Sequence, residues 1–350
     1  MRTEREPPRL RLPGTCSSQR SESRARAAPY NRPQGWIVEQ PCEHVSSILS
    51  RLNRPPQLQA PFVAGNPESG YYNDLRVELD TDDPIEARRL LQRFVADRER
   101  ANHVTIAQFA LGAWQMREKD EAWLRVFAEG AQWLAEALDE SGGLQYQFPM
   151  PHTLEISPPW YSAMAQGEAA SLFVRAALTL RDGSYADAAE RAIQPLLRAG
   201  SSIVAFTPEG PVLQEYPTQP PSHVLNGWMF ALWGLYDVAR LAERSGNAGS
   251  EAQRAFLDGT AALVRRVDLY DAGLGWSRYD LYPRRLTHVA SPFYHRLHVA
   301  LLGATADLTG EDALRRKAAV WEASAGRFPL RTAAVARKMA FRLVYPRRPV

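Results

Sequence analysis

Cysteines and long apolar runs are both scarce in this sequence. Its 350 residues include only two cysteines, Cys16 and Cys42. Both precede the region where folding is expected to begin, so disulfide bonds do not hold the fold together. No apolar run is long enough to span a bilayer, and residues 1–26 lack the apolar core of a secretory signal peptide. The sequence therefore predicts a cytoplasmic protein without a transmembrane segment.

Cofactor motifs are also missing. There is no Gly-x-Gly-x-x-Gly fingerprint and no phosphate-binding loop, which leaves a nicotinamide-dependent reaction unsupported. No cysteine cluster and no His-x-x-x-His pair points to a bound metal. We therefore expect a protein that uses neither a redox cofactor nor a metal ion.

The positive charge of the chain is confined to its two ends. The formal net charge is +3, but residues 1–26 carry +4 and residues 331–350 carry +6, which leaves about −7 for the middle. A folded region without a global positive field is a poor partner for nucleic acid, so a polyanionic ligand would need a local basic groove. We expect no nucleic-acid binding. The apolar residues among the arginines of 331–350 are compatible with weak contact at an anionic membrane surface.

Composition divides the chain into four segments. Residues 1–35, rich in Arg, Ser and Pro, are predicted to be disordered. Recurrent prolines predict an extended arm over 36–69. We expect the folded domain over 70–328 and a basic C-terminal tail over 329–350.

Apolar residues at helical spacing predict a mainly α-helical domain. Asp83 is a good N-cap for a helix that begins at Pro84. Further helices are predicted at 105–116, 121–138, 161–181, 184–198, 223–244, 251–268, 294–308 and 311–325. Many helices joined by short turns predict an (α/α) toroid or barrel-like domain with short β-hairpins. An open bundle or solenoid is the alternative, and the lack of a fixed-length repeat argues against a regular solenoid.

Three blocks of sequence carry the side chains suited to chemistry. Residues 214–227 run from Gln-Glu-Tyr-Pro-Thr to His-Val-Leu-Asn-Gly, and they set Glu215 and Tyr216, a potential acid/base pair, on a proline-rich loop before an apolar helix. Residues 160–167 read Trp-Tyr-Ser-Ala-Met-Ala-Gln-Gly, and a third block combines Tyr-Asp-Leu at 279–281 with Tyr-His at 294–295. Taken alone, the first block is also compatible with a surface loop shaped by its prolines.

In this order the three blocks resemble the catalytic domain of the D-glucuronyl C5-epimerase family, over roughly residues 70–325. Enzymes of this heparosan-N-sulfate-glucuronate 5-epimerase type invert C5 of D-glucuronic acid to L-iduronic acid in heparan-type polysaccharides. The resemblance implies an α/α barrel and a glucuronate-containing polysaccharide or glycoconjugate as substrate. The chain departs from the family pattern at Glu168, where a histidine is usual, and at Tyr282-Pro283, where basic residues are usual.

Inversion at C5 needs a base on one face of the sugar, an acid on the other, and a cation or strong donors at the carboxylate. By resemblance, Glu215 is the predicted base and Tyr294 the acid/base on the opposite face. Tyr216 is expected beside the ring, with Tyr279 supporting the site. Arg284 or Arg285 is the candidate that replaces the missing basic residues at the carboxylate, and Arg284 is the one counted among the substrate contacts.

Further side chains are predicted to contact the sugar chain. Trp160 is suited to stacking on a pyranose ring and Gln166 to bonding a hydroxyl group, although each has a plain structural alternative in core packing. For the histidines at 295 and 298, hydrogen bonding in or near the cleft is favoured over metal ligation. The remaining predicted substrate contacts are Tyr72, Arg175, Asn226, His295 and His298.

Other functions remain open at this point. A uronate lyase starts with the same deprotonation but then expels the C4 substituent. A glycoside hydrolase would pair Glu215 with an aspartate such as Asp280. A non-catalytic carbohydrate-binding protein would leave Glu215, Tyr279 and Tyr294 dispersed, whereas their convergence on one cleft favours an enzyme. The sequence is compatible with a homodimer.

Overall fold

The computed structural model of the protein describes residues 55–347. The predicted disordered segment at 1–35 and most of the predicted arm at 36–69 therefore lie outside the described residues, as does the end of the predicted tail. Among the described residues, no helix is both long and apolar enough to cross a bilayer.

Ten α-helices and one small hairpin make up residues 55–347. The helices are α1 (Pro84–Val95), α2 (His103–Gln115), α3 (Ala122–Ala137), α4 (Ala163–Leu180), α5 (Ser184–Leu197), α6 (Leu225–Arg244), α7 (Glu251–Arg266), α8 (Pro292–Thr309), α9 (Asp312–Ala325) and α10 (Phe328–Val344). The antiparallel hairpin pairs β1 (Val204–Thr207) with β2 (Gly210–Leu213). Two 3-10 turns lie at Arg76–Glu78 and Val267–Tyr270.

Side-chain caps fix where several helices begin. The Asp83 carboxylate accepts the backbone N–H of Ile85 at 2.9 Å, and Pro84 takes the first helical position, as predicted. Ser291 caps α8 ahead of Pro292 in the same way. These residues satisfy N–H groups that have no partner within the helix. The predicted helix bounds from α2 to α9 are confirmed to within about two residues, whereas α10 was not predicted as a folded helix.

The helices form an inner and an outer layer. Helices α2, α4, α6 and α8 pack side by side, and each pairs with the helix that follows it, so that α3, α5, α7 and α9 lie outside. Every residue of α4 from Ala163 to Ala176 is buried, whereas the outer helices bury one face only. This alternation of inner and outer helices confirms the predicted (α/α) toroid.

Two facing glycines let the inner helices α4 and α6 approach closely. A Cβ on Gly167 would lie 2.4 Å from the Cα of Ala231, and a Cβ on Gly234 would lie 2.4 Å from the carbonyl oxygen of Gly167. No larger residue fits at either position without moving a backbone. This close contact forms part of the wall of the ring.

An irregular segment, residues 57–79, contacts both end helices of the inner layer. The Gln59 amide donates to the Asp307 carboxylate of α8 at 2.7 Å. The backbone N–H of Leu75 donates to Gln115 of α2 at 2.8 Å. The segment therefore closes the ring between α2 and α8.

Candidate active site

Three irregular loops meet at one end of the ring. Because inner and outer helices alternate in direction, the inner helices all run the same way, and the loops before α4, α6 and α8 gather at their N-terminal ends. Backbone bonds join these loops: Ala163 N–H donates to the Gln214 carbonyl at 3.0 Å, and Leu225 N–H donates to the Tyr279 carbonyl at 3.2 Å. The blocks predicted from sequence are therefore held together at their backbones.

Glu215 lies buried at the N-terminus of α6. The Asn226 amide donates to its Oε2 atom at 3.1 Å, and the Gly227 N–H and the Tyr216 hydroxyl also donate to the carboxylate. Burial raises the pKa of Glu215 to about 7, and the negative charge of Asp280 adds to this, whereas the three donors oppose it. The side chain is thus close to half-protonated at neutral pH, which suits a group that takes and returns protons.

Gly227 makes room for this carboxylate. A Cβ at position 227 would lie 2.5 Å from the Glu215 Cβ and 2.6 Å from its Oε2. Side chains essentially never approach so closely, so any larger residue would displace Glu215. Glycine at this position therefore lets the carboxylate reach the N–H groups at the start of the helix.

Three phenol side chains surround Glu215. The rings of Tyr279 and Tyr294 meet edge to face with centroids 4.8 Å apart. Burial raises the pKa of Tyr216 and of Tyr279 well above the ordinary value, and the Glu215 carboxylate raises both further. Tyr294 also interacts electrostatically with both of these phenols. Both shifted hydroxyl groups are therefore protonated at neutral pH and act as donors.

A buried group of charges adjoins the phenols. Asp280 accepts from Arg284 Nη1 at 3.0 Å and lies 2.7 Å from His288 Nδ1. Burial acts to raise the pKa of Asp280, but His288 and Arg284 outweigh it and hold the pKa below the ordinary value. Arg284 Nη2 also donates to the Thr153 hydroxyl at 3.1 Å. Asp280 is consequently an ionised anchor for the guanidinium group.

A cavity of about 530 Å³ opens beside Arg284. Hydroxyl, guanidinium and aromatic groups face it, and its lining includes Thr153, Thr218, Tyr282, Arg284 and Arg285. Thr218 follows Tyr216 by two residues in the chain, whereas Glu215 and the three tyrosines beside it are not among the residues that line the cavity. Arg284 and Arg285 outnumber the one acidic lining residue, Glu155, so the lining suits an anionic sugar.

Further aromatic side chains pack against Tyr216. Trp160 stacks on Tyr146 with centroids 4.1 Å apart, and its ring lies 5.9 Å from that of Tyr216. His152 lies 4.8 Å from Tyr216, and burial lowers its pKa to about 3, so it is neutral at pH 7. Both rings border the phenol cluster.

The structure brings most of the predicted site residues together. The four side chains predicted to be catalytic converge at one end of the ring, and three predicted substrate contacts lie beside them. These seven residues are Glu215, Tyr216, Tyr279, Tyr294, Trp160, Asn226 and Arg284.

Gln166 does not reach the cleft, which corrects the prediction that it contacts a sugar hydroxyl. Its side chain is fully buried, and its amide bonds the Leu144 N–H at 2.7 Å and the carbonyl oxygens of Gly142 and Ala192. These three backbone groups need partners in the interior, and they occupy the oxygen and both N–H donors of the amide. Gln166 thus holds the loop before α4 in place.

Arg175 and Tyr72 belong to a buried ion pair rather than to the cleft. Arg175 Nη1 bonds Asp237 at 2.7 Å, and both side chains have no exposed surface. The Tyr72 hydroxyl donates to the same carboxylate. A substrate cannot reach these groups, so the prediction of substrate contact is wrong for both residues.

His295 and His298 also lie in the core. Both rings contact the Ser277 hydroxyl through Nδ1, at 3.0 and 2.9 Å, and His295 Nε2 contacts the Trp321 carbonyl at 3.0 Å. Neither histidine has exposed surface. Their predicted role in the cleft is therefore wrong. Residues 55–347 contain no group of three or more His, Cys, Asp or Glu side chains that could hold a metal ion.

Sequence reasoning missed three residues of the site: His152, His288 and Lys338. His152 and His288 lie in irregular loops without periodicity or a catalytic motif. Lys338 lies in the segment that was interpreted as a basic tail. The helical spacing of Ala334, Lys338 and Phe341 was the one available signal for the packing of this segment.

A buried carboxylate with a raised pKa lies among phenols at one end of an (α/α) toroid, an arrangement of the class that is suited to acid–base catalysis. The sequence model described as the D-glucuronyl C5-epimerase C-terminus matches residues 138–323. The chain therefore belongs to the D-glucuronyl C5-epimerase family, as the resemblance predicted.

Individual relatives add detail to this membership. A Caenorhabditis elegans protein named D-glucuronyl C5-epimerase is 32% identical over 225 residues, which is 59% of this chain and 36% of that protein. The match thus spans about a third of that relative's length. A solved structure titled UGL_D88N/dGlcA-Glc-Rha-Glc is similar with a TM-score of 0.43 and 17% identity, over 83% of this chain and 80% of that one. The toroid assignment rests on the helix packing described above.

Proposed function

We propose that the protein is a uronate C5-epimerase that acts on D-glucuronic acid residues of a polysaccharide or glycoconjugate. The observation that carries the proposal is the convergence of Glu215, whose pKa is raised to about 7, with Tyr216, Tyr279 and Tyr294 beside a buried guanidinium. Family membership and the name of the Caenorhabditis elegans relative support the same reaction.

In the proposed reaction, the Glu215 carboxylate removes the proton from C5. The electron pair of the broken C–H bond is delocalised into the C6 carboxylate, where Arg284 stabilises the added negative charge. Tyr294 then donates its hydroxyl proton to the opposite face of C5, which gives the inverted sugar and a phenolate. No atom of the sugar is lost.

The enzyme must then return to its starting state. After one turnover Glu215 is protonated and Tyr294 is a phenolate, so one proton has to pass between them. Tyr216 bonds to Glu215 and interacts electrostatically with Tyr294. We assign Tyr216 to this transfer, with Tyr279 orienting Tyr294 through their ring contact.

The test is incubation of the protein with a panel of glucuronate-containing glycans in D₂O, followed by NMR. We expect deuterium at C5 together with the appearance of iduronate. An unsaturated C4–C5 product would make the protein a lyase, and a shortened glycan would make it a hydrolase. No exchange and no product across the panel would favour the non-catalytic carbohydrate-binding protein.

Location and assembly stay predictions. A cytoplasmic address, weak contact of residues 331–350 with an anionic membrane surface, and a homodimer are each compatible with the sequence. Deletion of 331–350 followed by membrane fractionation tests the surface contact, and unchanged fractionation would contradict it.

A further inference from the structure

The C-terminal helix α10 covers the charged side of the candidate active site. Its Phe341 is fully buried and stacks on the His288 ring, with centroids 4.1 Å apart and an interplanar angle of 9°. One turn earlier, Lys338 Nζ lies 2.7 Å from His288 Nε2. Arg284 has Phe341 and Tyr345 beside its guanidinium, at 5.3 and 5.8 Å from the ring centroids. The helix therefore encloses the same group that the site uses to hold Arg284.

The donor and the acceptor of each hydrogen bond in this group can be assigned. The ionised Asp280 carboxylate can only accept, so the neutral His288 imidazole carries its proton on Nδ1, and His288 Nε2 accepts from Lys338. Nδ1–H then donates to Asp280 Oδ2 at 2.7 Å. Asp280 in turn accepts from Arg284 Nη1 at 3.0 and 3.1 Å. Lys338 is thus linked to Arg284 through three successive hydrogen bonds.

The charges support this assignment. Burial, followed by the nearby Lys338, lowers the pKa of His288 to about 3, so the imidazole is neutral at pH 7 and has a single ring proton to place. The opposite tautomer would turn a lone pair of Nδ1 toward the ionised Asp280 carboxylate, and the two would repel each other. Burial lowers the pKa of Lys338 well below its ordinary value, and the amine donates to Nε2 whether or not it is protonated.

We propose that Lys338 is a positioning residue of the active site. By donating to Nε2 it holds the His288 ring in the orientation that bonds Asp280, and Asp280 holds the Arg284 guanidinium at the edge of the cavity, where a uronate carboxylate is to bind. This inference rests on the proposed function. It makes α10, outside the segment matched by the family, a part of the catalytic unit.

The test uses the full chain and three variants. Lys338→Met removes the amine donor and keeps an unbranched side chain, whereas Lys338→Arg keeps a donor for His288 Nε2. Arg337→Met is the matched control, because Arg337 is the neighbouring cation on α10 and bonds the Ala272 carbonyl instead. Two measurements are made: the kinetics of C5 deuterium exchange, and the ¹⁵N NMR signals of the histidine ring nitrogens.

We expect Lys338→Met to lower kcat/KM about tenfold, comparable to the loss of other outer hydrogen-bond partners. Most of the change should be a rise in KM, because Arg284 holds the carboxylate before as well as during the reaction. Lys338→Arg should restore most of the loss and Arg337→Met should change neither parameter. The His288 Nε2 signal should be that of a hydrogen-bonded acceptor in the unsubstituted protein and should move toward that of an unbonded nitrogen in Lys338→Met, while Nδ1 stays protonated.

Two results would overturn the proposal: an unchanged His288 Nε2 signal with unchanged KM in Lys338→Met, or equal losses in Lys338→Met and Arg337→Met. The NMR measurement needs no substrate. If the unsubstituted protein exchanges no C5 proton in any glycan, the proposed function fails, while the Nε2 signal still decides whether Lys338 bonds His288.

Discussion

Two buried polar groups in the same ring of helices use their charges differently. Around Arg175 the charges are matched, since the guanidinium bonds Asp237 at 2.7 Å and the Ser171 carbonyl at 2.9 Å. Around Glu215 only neutral donors reach the carboxylate in the part of the chain that the structure describes. A matched pair keeps its protons fixed and supports the fold. A carboxylate held by neutral donors exchanges its proton near neutral pH, which is what catalysis of proton transfer requires.

Replacing the carboxylate should have the largest effect on activity. We expect Glu215→Gln to reduce C5 deuterium exchange about 10³-fold, because the amide keeps the shape of the side chain but cannot accept the proton. NMR exchange rates measure this, and unfolding by urea should show an intact fold. The control is Glu140→Gln in an exposed loop, which should exchange at the normal rate. Full activity in Glu215→Gln would exclude Glu215 as the base.

Removing the positive charge of Arg175 should affect stability rather than activity. Arg175→Met leaves Asp237 buried without its partner, and this should lower the free energy of unfolding by about 3–5 kcal/mol. Urea titration measures the loss. Exchange per folded molecule should stay close to normal, because Arg175 does not contact the cleft. A large fall in exchange without a loss of stability would contradict the division between the two groups.

A methyl group beside Glu215 tests how precisely the carboxylate must be placed for activity. In Gly227→Ala the new Cβ would lie 2.5 Å from the Glu215 Cβ, so the carboxylate must move. A displacement on this scale should lower kcat about 10²-fold. Gly326→Ala is the control, since a Cβ there meets no atom within 4 Å. Equal rates for the two variants would show that the position of the carboxylate is not critical.

The smallest expected effect is a shift in pH dependence. The base must be ionised to act, so kcat/KM should rise with pH through an apparent pKa near 7. The Asn226 amide donates to the charged form of Glu215 and thereby lowers its pKa, so Asn226→Ala should move this limb to higher pH. Rates measured between pH 5 and 9 test the shift. A limb that stays in place would mean that Asn226 does not control the ionisation of Glu215.

The sequence predicted the converging side chains better than their surroundings. Glu215, Tyr216, Tyr279 and Tyr294 lie in short blocks whose residue types and order resemble those of the epimerase family. Helix bounds were also predictable, because apolar periodicity and caps such as Asp83 act locally. These features depend on residues that are near each other in the chain.

What failed depends on contacts between distant residues. Gln166 lies in one of the blocks that resemble the epimerase family. Whether its amide bonds a sugar or three backbone groups depends on how α5 packs against the loop before α4. Lys338 and His288 are separated by 50 residues, and nothing local to either indicates the bond. No local sequence pattern separates a polar residue that is buried in the core from one that lines the cleft. Only the packed structure distinguishes them.

The ring of helices is closed at one place by a contact between distant parts of the chain. Gln59 and Asp307, which form this contact, are 248 residues apart in the chain, whereas the two helices of each inner–outer pair are joined by a short loop. Loop-closure entropy makes such a distant contact unfavourable to form early in folding. The curved wall of helical hairpins can therefore assemble step by step, and joining its two ends is the late event that turns an open arc into a closed ring.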